Sequence, residues 1–414
     1  MKKREQNYIP FTKEMKKEYT ILVPTMLPMH FELMISFLRT HGYNAELLKT
    51  EGPEIAETGL HYVHNDTCYP AILVVGQFID ALRCGKYDPH KTALILFQTG
   101  GGCRASNYIS LLRKALIKAG YSYVPVISFN LMGMEHHPGF KLTLPMLRGI
   151  IYAIAYGDLL LSLVNQCKPY EIRRGDAEAL AANWTERLGV ELGSGSKIRY
   201  SKIKENYNSI LADFADIPKE KKESVKVGIV GEIFVKYSPL GNNNLEQFLV
   251  DEGAEVTIPG LLDFCLFSAY VEYKRYGFKW IKNMISQMVF DYLGKKKQDI
   301  VKLMRREGSF TPPTPFQKTM ALCRGIIDLG VKMGEGWLLT AEMLELADSG
   351  VSNIVCVQPF GCLPNHVCGK GMMRPIKERN PDVNIVAVDY DAGATRVNQE
   401  NRLKLMLSNA RNKA

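Results

Sequence analysis

No two of the nine cysteines stand in a C-x2-C pair, so the close-paired grammar of a zinc site is missing from this chain. An odd thiol number without an export signal also argues against a disulfide framework. No glycine-rich string ends in Gly-Lys-Ser or Gly-Lys-Thr, and none reads G-x-G-x-x-G, which removes both common phosphate-binding loops. No uninterrupted apolar run approaches the roughly 18–20 residues that span a bilayer, and the basic start MKKREQNYIPFTKEMKKEYT is not followed by an apolar stretch. A cytoplasmic protein without a membrane partner is expected. Zinc fingers, aromatic RNP strings and basic zippers are missing too, although the net charge is +9. The basic residues fall in short runs, MKKR, PKEKKES, GKKKQDIVKLMRRE and RNKA, mostly mixed with acids on helical or terminal segments. Such runs are the mark of solvated helix faces, and no nucleic-acid partner is expected.

What is present is ordinary globular material: 414 residues, 46% hydrophobic and 23% charged, enough for two or three domains. From residue 20 to 128 the chain alternates strand-like and helix-like segments: YTILVP, HFELMISFLRTHGY, NAELL, PAILVVGQFIDALRCGKY, TALILFQT, SNYISLLRKALIKAGY, VPVISF. Apolar strands without clean polar alternation, separated by helices, predict a parallel sheet covered on both faces. Residues 145–224 read as a helical connector, and a second α/β lobe opens near Val225 with VKVGIVGEIFVKYSP. The proline-rich SFTPPTPF near 309–316 reads as a linker. The expectation is an α/β protein of two or three Rossmann-like, doubly wound lobes: 1–144, a connector over 145–224, and 225–414.

The string QTGGGCRAS follows an apolar strand and precedes a helix. Glycines there let the backbone turn and approach a ligand closely, and the helix amides favour an anion, which a thiolate is. Cys103 is therefore suited to hold a metal. Cys68, in DTCYPAILVV, stands at a helix start marked by Pro70, and Cys362, in QPFGCLPNHV, follows a strand and Gly361. Three thiols thus occupy loop-to-helix junctions, where parallel α/β sheets bind ligands. Three thiolates select zinc or an iron–sulfur cluster, and widely spaced ligands suit a cubane with an open or separately ligated iron better than zinc. Cys167, Cys265, Cys323 and Cys356 read as small buried hydrophobes, whereas Cys84 and Cys368 are the two that stand out from that reading, Cys368 as a possible further ligand.

The segments VHNDTCYPA, QTGGGCRASNY and VQPFGCLPNHVCGKGM, together with LPMHFEL, PGFKLTLPML and GEIFVKYSPLGNNNL, resemble the 2-hydroxyacyl-CoA dehydratase-related proteins. More closely, nearly the whole chain resembles the C-terminal region of the large fused CoA-substrate-specific enzyme activases. The resemblance implies a 4Fe-4S cluster held by Cys68, Cys103 and Cys362, with an 8Fe-9S double cubane as the alternative. It implies a homodimer that takes low-potential electrons from a separate actin-like, ATP-hydrolysing activase. No actin-like phosphate motif is evident here, so the chain is expected to be the electron acceptor and to bind no nucleotide itself.

Under that resemblance the reaction is a radical dehydration or reduction of a small-molecule or acyl-CoA substrate. A non-catalytic electron-transfer or scaffold subunit with a fully ligated cluster is the competing class, and a zinc-stabilised binding protein a third. Gly100, Gly101, Gly102 and Gly361 are the candidate cofactor-binding backbone. His64, Asp66, Arg104, Asn365 and His366 are candidates for substrate contact or proton delivery, with Arg104 suited to offset a cluster's or a phosphate's negative charge. Glu232 and Asn242 to Asn244 either face a cleft or cap the next helix.

Overall fold

The computed structural model of the chain describes residues 8–97, 103–129, 135–193, 199–275 and 280–412. Thr20–Val23 (β1), Asn44–Leu47 (β2), Thr92–Phe97 (β3) and Val126–Phe129 (β4) form one parallel sheet in the order β2-β1-β3-β4. Val225–Gly231 (β5), Ala254–Thr257 (β6), Asn353–Pro359 (β7) and Asn384–Tyr390 (β8) form a second, β6-β5-β7-β8. The chain is therefore α/β, with two four-stranded parallel sheets of the same strand order. Every residue of β7 is buried, and all of β3 except Phe97. A parallel strand with helices on both faces has no polar side to show, which is why TALILF and NIVCVQP carry no alternation.

Helices Leu144–Cys167, Asp176–Gly193 and Tyr200–Ala215 separate the two sheets in sequence. The first is long and apolar enough to cross a membrane by length and composition, although Gly157 and Asp158 interrupt its apolar run. Two thirds of its most apolar stretch is buried within the fold, as in the core helix of a globular protein. Gly149 and Gly157 let it lie directly on the Phe37 and His30 rings of helix Pro28–Thr40, where a Cβ would collide with either ring. The proline-rich segment ends at Pro315, which precedes helix Phe316–Leu322.

Asp158 ties these parts together. Its carboxylate accepts from the N–H groups of Leu261 and Leu262, each at 2.8 Å, and so satisfies the free amides that open helix Leu261–Arg275. The same carboxylate bonds His30 Nε2 at 2.8 Å. One side chain of the connector thus holds a helix from each lobe. Replacing Asp158 with Ala removes a cap and strands a fully buried imidazole, so Asp158→Ala is expected to lower stability by about 2–4 kcal/mol. The shift in urea midpoint at unchanged m-value measures it.

Candidate functional site

A helix that follows or precedes a parallel strand turns at the sheet edge, so cap residues of several helices gather at the strands' carboxyl ends. Cys103, beyond β3, caps the turn Arg104–Asn107 that enters helix Tyr108–Ala119, and its Sγ accepts from the Ala105 N–H at 3.4 Å. Cys362 follows β7, and its carbonyl accepts from the His366 N–H at 3.1 Å. Because β3 and β7 hold the same place in their sheets, Cys103 and Cys362 occupy matching junctions. Cys68 is the N-cap of helix Tyr69–Arg83, with Pro70 in the first turn as the sequence predicts, and that helix leads to β3.

Gly361 brings two of these junctions into contact. Its φ of 78° lies in the left-handed region, and a Cβ there would sit 3.0 Å from Cys68 Cα and 3.1 Å from an Arg104 guanidinium nitrogen. The Tyr69 N–H donates to the Phe360 carbonyl at 3.0 Å beside it. The backbone of one lobe therefore rests on the cysteine of the other, and no side chain fits between them.

Two of the three thiols are buried at this seam. Cys68 and Cys362 are 5% and 8% exposed. Burial raises both thiols, Cys362 far above the usual range; the charges of Glu335, Glu232 and Cys103 push Cys362 further, whereas Arg104 pulls Cys68 down. Cys68 Sγ is 3.0 Å from the Tyr108 hydroxyl, whose own ionisation is suppressed by burial and by the Cys68 charge. Three cysteines, Tyr108, Glu232 and Glu335 thus feel one another's charge. Glu232 caps helix Ile233–Tyr237 through the Val235 N–H at 2.9 Å, and Glu335 accepts from the Ile233 N–H at 3.0 Å. Lys236 and Glu342 form a buried ion pair at 2.7 Å, and the Lys236 charge also acts on Glu232 and Glu335, opposing the effect of burial on both carboxyls. Burial thus disfavours the charged forms of these thiols and carboxyls.

A single tetrahedral ion needs donors about 4 Å apart, given a metal–sulfur bond of roughly 2.3 Å. Among the described residues no three His, Cys, Asp or Glu side chains are gathered closely enough to hold one metal ion. No known protein family matches the chain, and no curated protein matches it.

The other expected site residues divide. Arg104 reaches from the Cys103 turn to the Asp66 carbonyl and so clamps the loop before Cys68. His64 and Asp66 pair at 3.3 Å with their side chains 74% and 78% exposed, facing solvent. His366 is also exposed. Asn365 is fully buried and donates to the Val357 carbonyl at 2.6 Å. Asn242 bonds the Val235 carbonyl and the Leu245 N–H, and Asn243 and Asn244 take positive φ in the turn between two helices. Cys368 is buried, and Glu335 is the charge that acts on it. Gly100, Gly101 and Gly102 lie outside the described residues. Sequence reasoning missed Tyr108 and Glu335. Glu335 stands between glycines in GEGW, just before helix Trp337–Asp348 that leads to β7, the place Cys68 holds before β3. A scan confined to thiols passes over it.

Gly361→Ala is expected to cost about 1–3 kcal/mol, from left-handed strain and from overpacking against Cys68. Thermal melts measure it, and Gly120→Ala, at a positive φ with open space around it, isolates the strain alone. Glu232, raised from 4.5 to about 8 by burial and the nearby Glu335, binds a proton in the fold that the unfolded chain has released. Stability is then expected to fall as pH rises from about 4.5 to about 8, and melting temperatures of Glu232→Gln across that range should show a flatter slope.

Proposed function

We propose that this chain is an iron–sulfur protein of the 2-hydroxyacyl-CoA dehydratase-like type, its cubane held by Cys68, Cys103 and Cys362 between the two lobes. In this reading it receives electrons from an ATP-hydrolysing activase and uses them to dehydrate or reduce a small-molecule or acyl-CoA substrate. The observation that carries the reading is that three cysteines far apart in sequence stand at helix-capping junctions and act electrostatically on one pocket closed by Gly361. The bound cluster would supply one-electron transfer at low potential.

The chain's own residues prepare that chemistry. The Ala105 N–H and the Tyr108 hydroxyl point at the sulfurs of Cys103 and Cys68, and hydrogen bonds to sulfur tune a cluster's potential. Arg104 offsets negative charge beside Cys68. Glu232 and Glu335 keep protons in a dry pocket and are better placed than solvent-facing His64 to exchange them there. Cys368, buried and under the influence of Glu335, supports the second reading, in which a fourth protein ligand closes the cluster and the chain only relays electrons.

Anaerobic reconstitution is expected to load about four irons and four sulfides per chain, with an EPR signal on dithionite reduction. Cys103→Ala should lose both. Cys368→Ala should leave the spectrum unchanged if an iron is open, and a shifted spectrum favours the relay. About eight irons point to the double cubane. Zinc without iron overturns the cluster reading.

A further inference from the structure

Residues 8–12 lie along residues 135–140, in the connection from β4 to helix Leu144–Cys167. Three hydrogen bonds fasten them there. The Gly139 N–H donates to the Phe11 carbonyl at 2.8 Å, the Phe11 N–H donates to His137 Nδ1 at 3.1 Å, and the Tyr8 hydroxyl donates to the His136 carbonyl. Gly139 permits the approach, since a Cβ there would stand 1.9 Å from the Thr12 carbonyl oxygen. One of the three bonds thus ends on a titratable ring, that of His137, which is 4% exposed.

A neutral imidazole has one donor nitrogen and one acceptor. Because the Phe11 N–H can only donate, Nδ1 is the bare nitrogen and the ring proton sits on Nε2. That Nε2 is buried without a hydrogen-bond partner among the described residues, 3.8 Å from a Glu135 carboxylate oxygen. Two Arg113 guanidinium nitrogens hold Glu135 at 3.0 and 2.5 Å, and its carboxyl is drawn down to about 2 by His137 and Arg113 against the effect of burial, so it stays ionised. The remaining titratable neighbours are Tyr8, its ring 5.4 Å away and its hydroxyl kept neutral by burial, and the exposed His136 beside it in the chain. A second ring proton reverses these contacts. Nδ1–H then meets the Phe11 N–H donor against donor and the bond is lost, whereas Nε2–H gains a charged partner in Glu135. Each protonation state has a contact of its own, which a two-state device requires.

We propose that His137 is a pH-sensitive clasp: on taking up a proton its ring lets go of the Phe11 N–H, turns its charge to Glu135 and loosens residues 8–12 from residues 135–140. The proton comes from solvent by way of Glu135, whose side chain is 36% exposed, and only hydrogen bonds break. Histidine suits such a switch because its ordinary titration lies between about pH 5 and pH 8. The Phe11 side chain is fully buried and remains an anchor, so the device weakens the hold on this segment without unfolding the lobe. The clasp shares no residue with the cysteine pocket, and the proposal stands whether or not a cluster binds.

Amide hydrogen exchange on the full-length protein, read by mass spectrometry and corrected for the intrinsic pH dependence of exchange, measures that hold. Between about pH 8 and about pH 5 the peptide covering residues 8–19 is expected to lose protection, by up to about tenfold per pH unit, the limit for one proton taken up on opening. Peptides from β3 and β7 should keep theirs. His137→Asn sets an amide oxygen where Nδ1 stands and cannot gain a proton, so its protection should stay flat although His136 is still present. Glu135→Gln removes the carboxylate that receives the imidazolium and should move the loss to lower pH. If His137→Asn fails to protect β3 and β7 even at about pH 8, the direction of the Glu135→Gln shift decides. Constant protection in the unaltered protein, an equal loss in a folded His137→Asn, an unshifted Glu135→Gln profile, or a loss shared by β3 and β7 overturns the proposal.

Discussion

Within each sheet of this protein every strand runs parallel, and that constraint governs where its chemistry can sit. A parallel strand cannot turn back on itself; it must leave the sheet, cross over through a helix and return to the same edge. The loops that open those helices therefore collect at the carboxyl ends of the strands, with free amides and cap side chains turned toward one another. Cys103 after β3 and Cys362 after β7 occupy the same topological place, while Cys68 and Glu335 precede the helices that lead into those two strands. The two lobes thus offer a matched pair of junctions, two thiols from one and a thiol with a carboxyl from the other.

Matching junctions become a pocket only where the lobes can touch. Gly361 allows that contact by having no side chain in a left-handed turn, and the Tyr69–Phe360 backbone bond fastens the seam. Farther away, Asp158 draws together helices from both lobes through His30 and the amides of Leu261 and Leu262. At that seam burial raises the Glu232 and Glu335 carboxyls and the Cys68 and Cys362 thiols, and Lys236 and Arg104 are cations that act against it.

Much of this could be read along the chain. TALILF and VSNIVCVQPF reveal buried parallel strands because both faces are covered, and CYP reveals a helix start because proline suits the first turn. The common strand order of the two lobes left no repeat in the sequence, since many apolar sequences satisfy one topology. Of the two readings open for Asn242, a cleft or a cap, the cap holds, since its Oδ1 accepts from the Leu245 N–H that opens the next helix. The exposure of His64 and the enclosure of Glu335 were equally invisible, because proximity to a cysteine in sequence says nothing about which way a loop faces.

The amino-acid sequence by itself determined the α/β class, the helical connector and the three cysteines at helix-starting junctions, since periodicity and proline or glycine punctuation act over a few neighbouring residues. Tertiary structure alone decided that Cys68 lies against Gly361, that Tyr108 meets the Cys68 sulfur and that Glu232 and Glu335 act on Cys362. Those relations join residues tens to hundreds of positions apart. Burial and mutual charge, which set their protonation, exist only once the lobes have closed on one another.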